Sequence, residues 1–316
     1  MKNPPAHKPP NVQIAILIPC YNEEKTIAKV IDNFHKQLPN ATIYVYDNNS
    51  TDHSAKIATD HHAIVRKEPR QGKGNVVRSM FRDINADVYI MVDADNTYSA
   101  SDANKLISQI TNHHADMVIG DRLNSTYFKD NKRLGHNFGN RLVRKTINTI
   151  FHANIQDIMT GYRAFSCRFV KTFPALSSGF QIETEMTIHA LDKNMNISTI
   201  PIKYQNRPQG SQSKLRTIRD GSKVLLTIFN MIREYKPLPF FSIISLIFLI
   251  ISLILGVPIF IEFSQTSLVP RFPTLFVSTM FLVLSFLSFS TGLILDLIAR
   301  KHRQLFETNL NLICKK

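Results

Sequence analysis

The chain has 316 residues, 44% of them apolar and 20% charged, with a formal net charge of +14. Such a charge suits either nucleic acid or an anionic membrane surface, and two long uncharged apolar runs near the C-terminus decide for the membrane over nucleic acid. Three widely scattered cysteines, Cys20, Cys167 and Cys314, exclude a metal-binding spacing and fit a reducing compartment.

In chain order, residues 1–11 hold four prolines and no apolar run, which reads as a disordered tail and not as a signal peptide. A buried strand is expected over 13–18, an amphipathic helix over 25–37, a strand over 42–46 and a helix over 52–60. A short strand follows over 63–66, a helix over 74–85, and strands over 88–92 and 117–119. Alternation of this kind predicts an α/β domain with a mostly parallel, doubly wound sheet.

The strand exits share a polar and acidic character. The first runs into Pro19-Cys20-Tyr21-Asn22-Glu23, the second into Asp47-Asn48-Asn49-Ser50-Thr51-Asp52, and the apolar run 88–92 into Asp93-Ala94-Asp95. Ligands collect outside the carboxyl ends of strands in open α/β sheets. Asp93 and Asp95 there are placed to hold Mg²⁺ or Mn²⁺ against a pyrophosphate, or else to cap the turn at Asn96, Ser99 and Ser101. Asp47 and Glu23 are candidates to accept from a base or a ribose hydroxyl.

Other motifs fail on spacing. Gln71-Gly72-Lys73-Gly74-Asn75 lacks the upstream Gly and the following Ser or Thr of a P-loop. The Asp47 segment lacks the central Gly and final Glu of a calcium loop. His61-His62 and His113-His114 read as solvated surface pairs.

Towards the C-terminus, residues 240–261 and 274–295 each form an uncharged run of 22 residues. As helices these are about 33 Å long against a hydrocarbon core of roughly 30 Å, so two transmembrane helices are expected, the second taken to residue 298. Arg233 and Lys236 precede the hairpin and Arg300, Lys301 and Arg303 follow it, whereas the connection 262–273 carries Arg271 alone among basic residues. Basic flanks stay in the cytoplasm, so both termini and the domain over 12–212 are expected there, with a short exported loop and a basic cytosolic tail over 299–316. Between Ser213 and Tyr235, Leu215, Ile218, Leu225, Phe229 and Ile232 fall on one helical stripe, with Lys214, Arg216, Arg219 and Lys223 off it. An interfacial amphipathic helix over 213–236 and an ordinary surface helix packed on the core are the two readings of this segment.

With these residues in order, the chain resembles the family 2 glycosyltransferases of the GT-A fold. The match is to the polyprenyl-phosphate type, exemplified by dolichol-phosphate mannose synthase and bacterial undecaprenyl-phosphate transferases. The resemblance runs from about Val12 to Lys236. Pro19, Tyr21, Asn22 and Glu23 look like its nucleotide-binding opening, Asp47 and Asn49 its second turn, Gly72-Lys73-Gly74 its diphosphate-side loop, and Asp93-Ala94-Asp95 its metal motif. Gly120-Asp121-Arg122, Arg133, Asp157 with Thr160-Gly161-Tyr162-Arg163, and Arg207 through Gly210, Ser213 and Lys214 look like its acceptor half. Asp121 stands where a small residue is expected, and Asn48-Asn49 replaces the commoner Asp-Gly.

The resemblance implies inverting transfer of a hexose from a UDP or GDP donor, UDP being preferred, to a polyprenyl phosphate such as undecaprenyl or dolichyl phosphate. A phosphate monoester is already an oxyanion at neutral pH, so no strong base is required. The catalyst must bring two anions together and stabilise a departing diphosphate. Arg122, Arg133 and Arg207 suit the acceptor phosphate, since the guanidinium fork donates bidentate hydrogen bonds. Asp157 is a candidate to orient the acceptor, bind a sugar hydroxyl, act as base or cap the turn before Gly161. Glu183 and Glu185 are candidates for a sugar contact or a buried salt bridge. Two readings compete with this one: transfer to a neutral lipid hydroxyl, which demands a real base, and a non-catalytic nucleotide-binding scaffold. A processive membrane synthase is discounted, because it needs a Gln-x-x-Arg-Trp sequence and the chain has no Trp. The sequence leaves the sugar and any homo-oligomer open.

Overall fold

A computed structural model describes residues 12–123, 134–179, 181–205 and 229–313. Arg133, Arg207, Gly210, Ser213 and Lys214, the N-terminal tail and most of the expected amphipathic segment lie outside them. The chain divides into two compact units, one of Met1–Thr217 with Leu310–Lys316 and the other of Ile218–Asn309.

The first unit is built on a seven-stranded sheet in the order β3-β2-β1-β4-β6-β5-β7. Its strands are β1 (Ile14–Cys20), β2 (Thr42–Asp47), β3 (Ile64–Lys67), β4 (Val88–Met91), β5 (Met117–Asp121), β6 (Arg163–Ser166) and β7 (Ile197–Pro201). Helices α1 (Ile27–Gln37), α2 (Ser54–Asp60), α3 (Lys73–Asp83) and α4 (Ala103–Thr111) connect the first five strands. Then come α5 (Leu134–Phe151), α6 (Cys167–Thr172) and α7 (Ile182–Asp192). Every residue of β4 and β5 is buried, as are Ala15 to Ile18 of β1. Continuous apolar runs of this kind belong to strands covered on both faces. Helix α1 supplies one cover by turning Ile27, Val30, Ile31 and Phe34 inward, a single stripe of the 3.6-residue period.

The sheet is mostly parallel, as expected; the exception is β6, which runs antiparallel between β4 and β5, pairing Ile90 with Ala164 and Val118 with Ala164. Four residues beginning with an arginine carry no strand pattern, and the alternation of β7, ending in proline, is equally faint. The parallel set remains: β1 pairs with β2 on one side and β4 on the other, β2 with β3, and β5 with β7. The chain winds outward from β1 through β2 to β3 and then returns to β1's other side with β4. That reversal makes the carboxyl ends of β1 and β4 the topological switch point, outside which ligands collect in open α/β sheets.

In the second unit, α8 (Pro237–Thr266) and α9 (Phe272–Ile313) are long helices. Both extend past the uncharged runs and leave only 267–271 as connection, because backbone hydrogen bonding continues where apolarity stops. Helix α8 runs through Pro258. The two are long and apolar enough to cross a membrane, and only 11% of each apolar window is buried. Ser245 and Ser285 bond to each other at 3.0 Å, and the Ser252 hydroxyl donates to the Ser278 carbonyl at 2.9 Å. A Cβ on Gly256 would stand 2.7 Å from Ser278 Oγ, so its small size permits the close approach.

Candidate functional site

At the switch point the loops after β1 and β2 interlock. The Asn22 N–H donates to Ser50 Oγ (2.9 Å) and the Asn22 Oδ1 accepts from the Thr51 N–H (2.8 Å). The Glu23 N–H donates to Ser54 Oγ (2.8 Å), and the Glu23 carbonyl accepts from the N–H groups of Thr26 and Ile27, opening α1. Pro19 and Cys20 lie in register with Tyr46 and Asp47. Burial pushes the Cys20 thiol up to about 12, which leaves it inert. Asp47 is buried and accepts from the Ser50 N–H at 3.2 Å.

Asn48 and Asn49 explain their own departure from the expected pair. The buried Asn48 amide donates to the carbonyls of Glu68 (2.9 Å) and Arg70 (2.8 Å), while its oxygen accepts from the Gly72 N–H (2.7 Å). Asn49 takes φ 63°, in the left-handed region that Asn tolerates, and donates to the Pro69 carbonyl at 2.9 Å. Together they fix the 68–72 loop in front of α3. Glu68 secures it from behind: hydrogen bonds from Arg70, followed by one from Ser79, hold its carboxyl down at about 2.

The loop delivers Lys73 to the acids. Its ammonium lies 2.6 Å from Asp93 Oδ1 and 2.5 Å from Glu183 Oε1, with the Lys73 side chain only 9% exposed. Burial alone would depress it, but attraction to Asp93 and Glu183 and the hydrogen bonds to both hold it well above its ordinary value. Gly72 and Gly74 permit this approach: a Cβ on Gly74 would meet the Ser177 carbonyl at 2.0 Å, and Gly72 sits at φ 125°. Glu185 shapes the facing loop by accepting from the N–H groups of Leu176 (2.8 Å) and Ser177 (2.9 Å). Asp95 is buried and its Oδ1 accepts from Thr97 Oγ1 at 2.6 Å, a turn that orients the carboxylate. Ala94, between the two acids, is buried in the core.

The second half of the site is built on β5 and the segment before β6. Arg122 clasps Asp157 in a fork, with Nε to Oδ2 at 2.7 Å and Nη2 to Oδ1 at 3.2 Å. Its guanidinium also covers the Tyr204 ring, 5.6 Å from the centroid, a cation–π placement. Asp121 ends β5 buried, its Oδ1 accepting from the Leu123 N–H at 2.8 Å, and burial raises its carboxyl.

Tyr98 joins the two halves. Its hydroxyl accepts from the Gly161 N–H (3.0 Å) and from Arg122 Nη1 (3.4 Å). Gly161 in turn backs onto Asp93, since a Cβ there would lie 2.2 Å from Asp93 Oδ2. Arg163 is wholly buried and donates to the carbonyls of Ile158 and Thr160 and to Thr187 Oγ1, bracing the segment that carries Asp157 and Gly161. Burial pushes it down to about 10. Tyr98 and Glu68 carry no motif signal, and Arg163 belonged to a motif whose side chain turns out to face the core.

Comparisons with known proteins identify the family and the fold. The family described as "Glycosyl transferase family 2" matches residues 15–173. The glycosyltransferase AglJ of Haloferax volcanii is 35% identical over 230 residues, which cover 72% of this chain and 75% of that one. Protein RfbJ of Shigella flexneri is 55% identical over 109 residues, 34% of this chain and 84% of its own. Among solved structures, glucosyl-3-phosphoglycerate synthase from Mycobacterium tuberculosis, in complex with Mn²⁺, UDP-glucose and phosphoglyceric acid, superposes with a TM-score of 0.54 at 19% identity. That superposition covers 70% of this chain and 79% of the other. A GT-A-like α/β domain followed by two candidate membrane spans, with this family match over half its length, makes the chain a glycosyltransferase of family 2.

Proposed function

We propose that the protein transfers a hexose from a nucleotide diphosphate sugar, UDP-linked by preference, to a polyprenyl phosphate at the cytosolic face of a membrane. The observation that carries this reading is the chain of contacts from Asp93 through Gly161 and Tyr98 to the Arg122–Asp157 pair. It brings an acidic, cation-seeking group beside a guanidinium suited to phosphate.

In this reading Pro19, Tyr21, Asn22, Glu23, Asp47 and Asn49 shape the nucleoside pocket, and Lys73 serves the diphosphate. Arg122, with Arg133 and Arg207, receives the acceptor phosphate, and Asp157 holds Arg122's fork in place. Asp93 and Asp95 would hold Mg²⁺ or Mn²⁺. The fit rests on the chemistry of the donor set: two carboxylates are hard oxygen donors and suit a hard cation that completes its shell with phosphate oxygens and water. When bound, the ion neutralises charge on the departing diphosphate. Glu183 keeps Lys73 in position, and Glu185 keeps the loop against Gly72 and Gly74.

The acceptor oxyanion attacks the anomeric carbon as the bond to the diphosphate breaks, inverting the centre, and no proton moves. The catalytic domain spans 12–212 in this account. An interfacial helix over 213–236, carrying Ser213 and Lys214, leads to spans over 240–261 and 274–298 with both termini cytosolic. A polyprenyl tail is held in the bilayer by about 0.8 kcal/mol per CH₂, so the enzyme must come to the head group. The test is a panel of radiolabelled UDP- and GDP-hexoses offered to the purified, membrane-reconstituted protein with undecaprenyl phosphate and Mg²⁺ or Mn²⁺. A sugar-linked lipid monophosphate is expected; labelling confined to diacylglycerol or ceramide would overturn the reading.

A further inference from the structure

Helix α5 turns Val143 and Ile147 into the core. Arg141, Lys145 and Thr149, spaced four residues apart, lie exposed on its other side, with Arg144 and Asn148 one row over. These five and Gln156 line an open groove of about 510 Å³. One wall is fixed: Asn148 exchanges two hydrogen bonds with the Ile155 backbone, both 3.0 Å, and Arg144 Nη1 donates to the Gln156 carbonyl at 3.3 Å.

Among the described residues no carboxylate pairs with Arg141, Arg144 or Lys145. Three cations around one groove attract an anion, and two guanidinium groups favour a phosphoryl group through bidentate donation. The volume falls within the range of small-ligand pockets, about 300–1,000 Å³, and exceeds what a bare phosphate fills. Gln156 directly precedes Asp157 in the chain, and Arg144 acts electrostatically on Asp121 at the end of β5.

We propose that this groove binds the phosphodiester head group of an anionic phospholipid beside the Arg122–Asp157 pair, distinct from the acceptor that receives the sugar. The occupant follows from charge complementarity together with the two candidate spans, which would keep the chain where phospholipid phosphate is most concentrated. The proposal rests on membrane anchorage but not on which sugar or acceptor reacts.

The test is hydrogen exchange of the full chain in nanodiscs of phosphatidylcholine alone or mixed with phosphatidylglycerol, with inorganic phosphate added to the first as a separate arm. Amides over 141–156 should exchange about fivefold or more slowly with phosphatidylglycerol. Arg141→Gln/Lys145→Gln, at exposed positions, should lose that protection while circular dichroism stays native. Equal exchange in both lipids, protection that survives the double substitution, or equal protection by inorganic phosphate would each overturn the proposal. Sugar–lipid synthesis measured on the same nanodiscs separates the readings: turnover without protection refutes only the groove, and protection without turnover only the proposed reaction.

Discussion

Tyr98 shows how much a single hydroxyl can coordinate, since it accepts from both the Gly161 N–H and Arg122. Tyr98→Phe leaves those two donors without their acceptor at a cost of about 1–3 kcal/mol. We expect kcat to fall roughly 5- to 150-fold with donor KM little changed; a donor KM that rises in proportion would show that the residue serves the nucleotide instead. Glu68 provides a pH signature. Its carboxyl drops from an ordinary 4.5 to about 2 in the fold, so the stability it supplies is complete above pH 4.5 and is lost as pH falls towards 2. Urea midpoints should therefore decline across that window, and Glu68→Gln should flatten the decline. An unaltered slope would remove Glu68 from the account.

Between elements, the decisive contacts are backbone approaches that glycine permits. Gly161→Ala would push a methyl into Asp93 and, through it, disturb Lys73 and Glu183. Turnover should fall at least about 100-fold, while far-ultraviolet circular dichroism keeps the native signal; retained turnover would refute the packing of Gly161 on Asp93. The strand exits were legible because apolar runs ending in acids at β1, β2 and β4 signal both strand and site. Lys73 and Glu183 are 110 residues apart, so their ion pair has no local pattern to announce it. Likewise β6 is invisible in sequence because its first residue is a buried arginine, satisfied by carbonyls that only the folded segment supplies. Asn49 is the reverse case, a departure from glycine that its own backbone conformation accommodates.

For the whole molecule, the proposed function would have the two units divide the work of an enzyme whose acceptor stays in a bilayer. Helices α8 and α9 expose large apolar side chains such as Phe260, Phe276 and Phe286, which water would not tolerate as a continuous surface. Separation of these tasks predicts that Asp95→Ala still inserts into membranes, as judged by carbonate-resistant sedimentation, yet loses divalent-dependent turnover by more than about 100-fold. A variant that remains active without any divalent ion would sink the metal assignment.

The most direct measurement sets undecaprenyl phosphate against undecaprenol in the same vesicles, with one UDP-hexose and mass spectrometry of the extracted lipids. The account predicts hexosyl monophosphoryl undecaprenol alone, formed at a rate that levels off above about pH 6 once the phosphate has lost its second proton. Hexose on the free alcohol, or no glycolipid from any activated hexose, would contradict it.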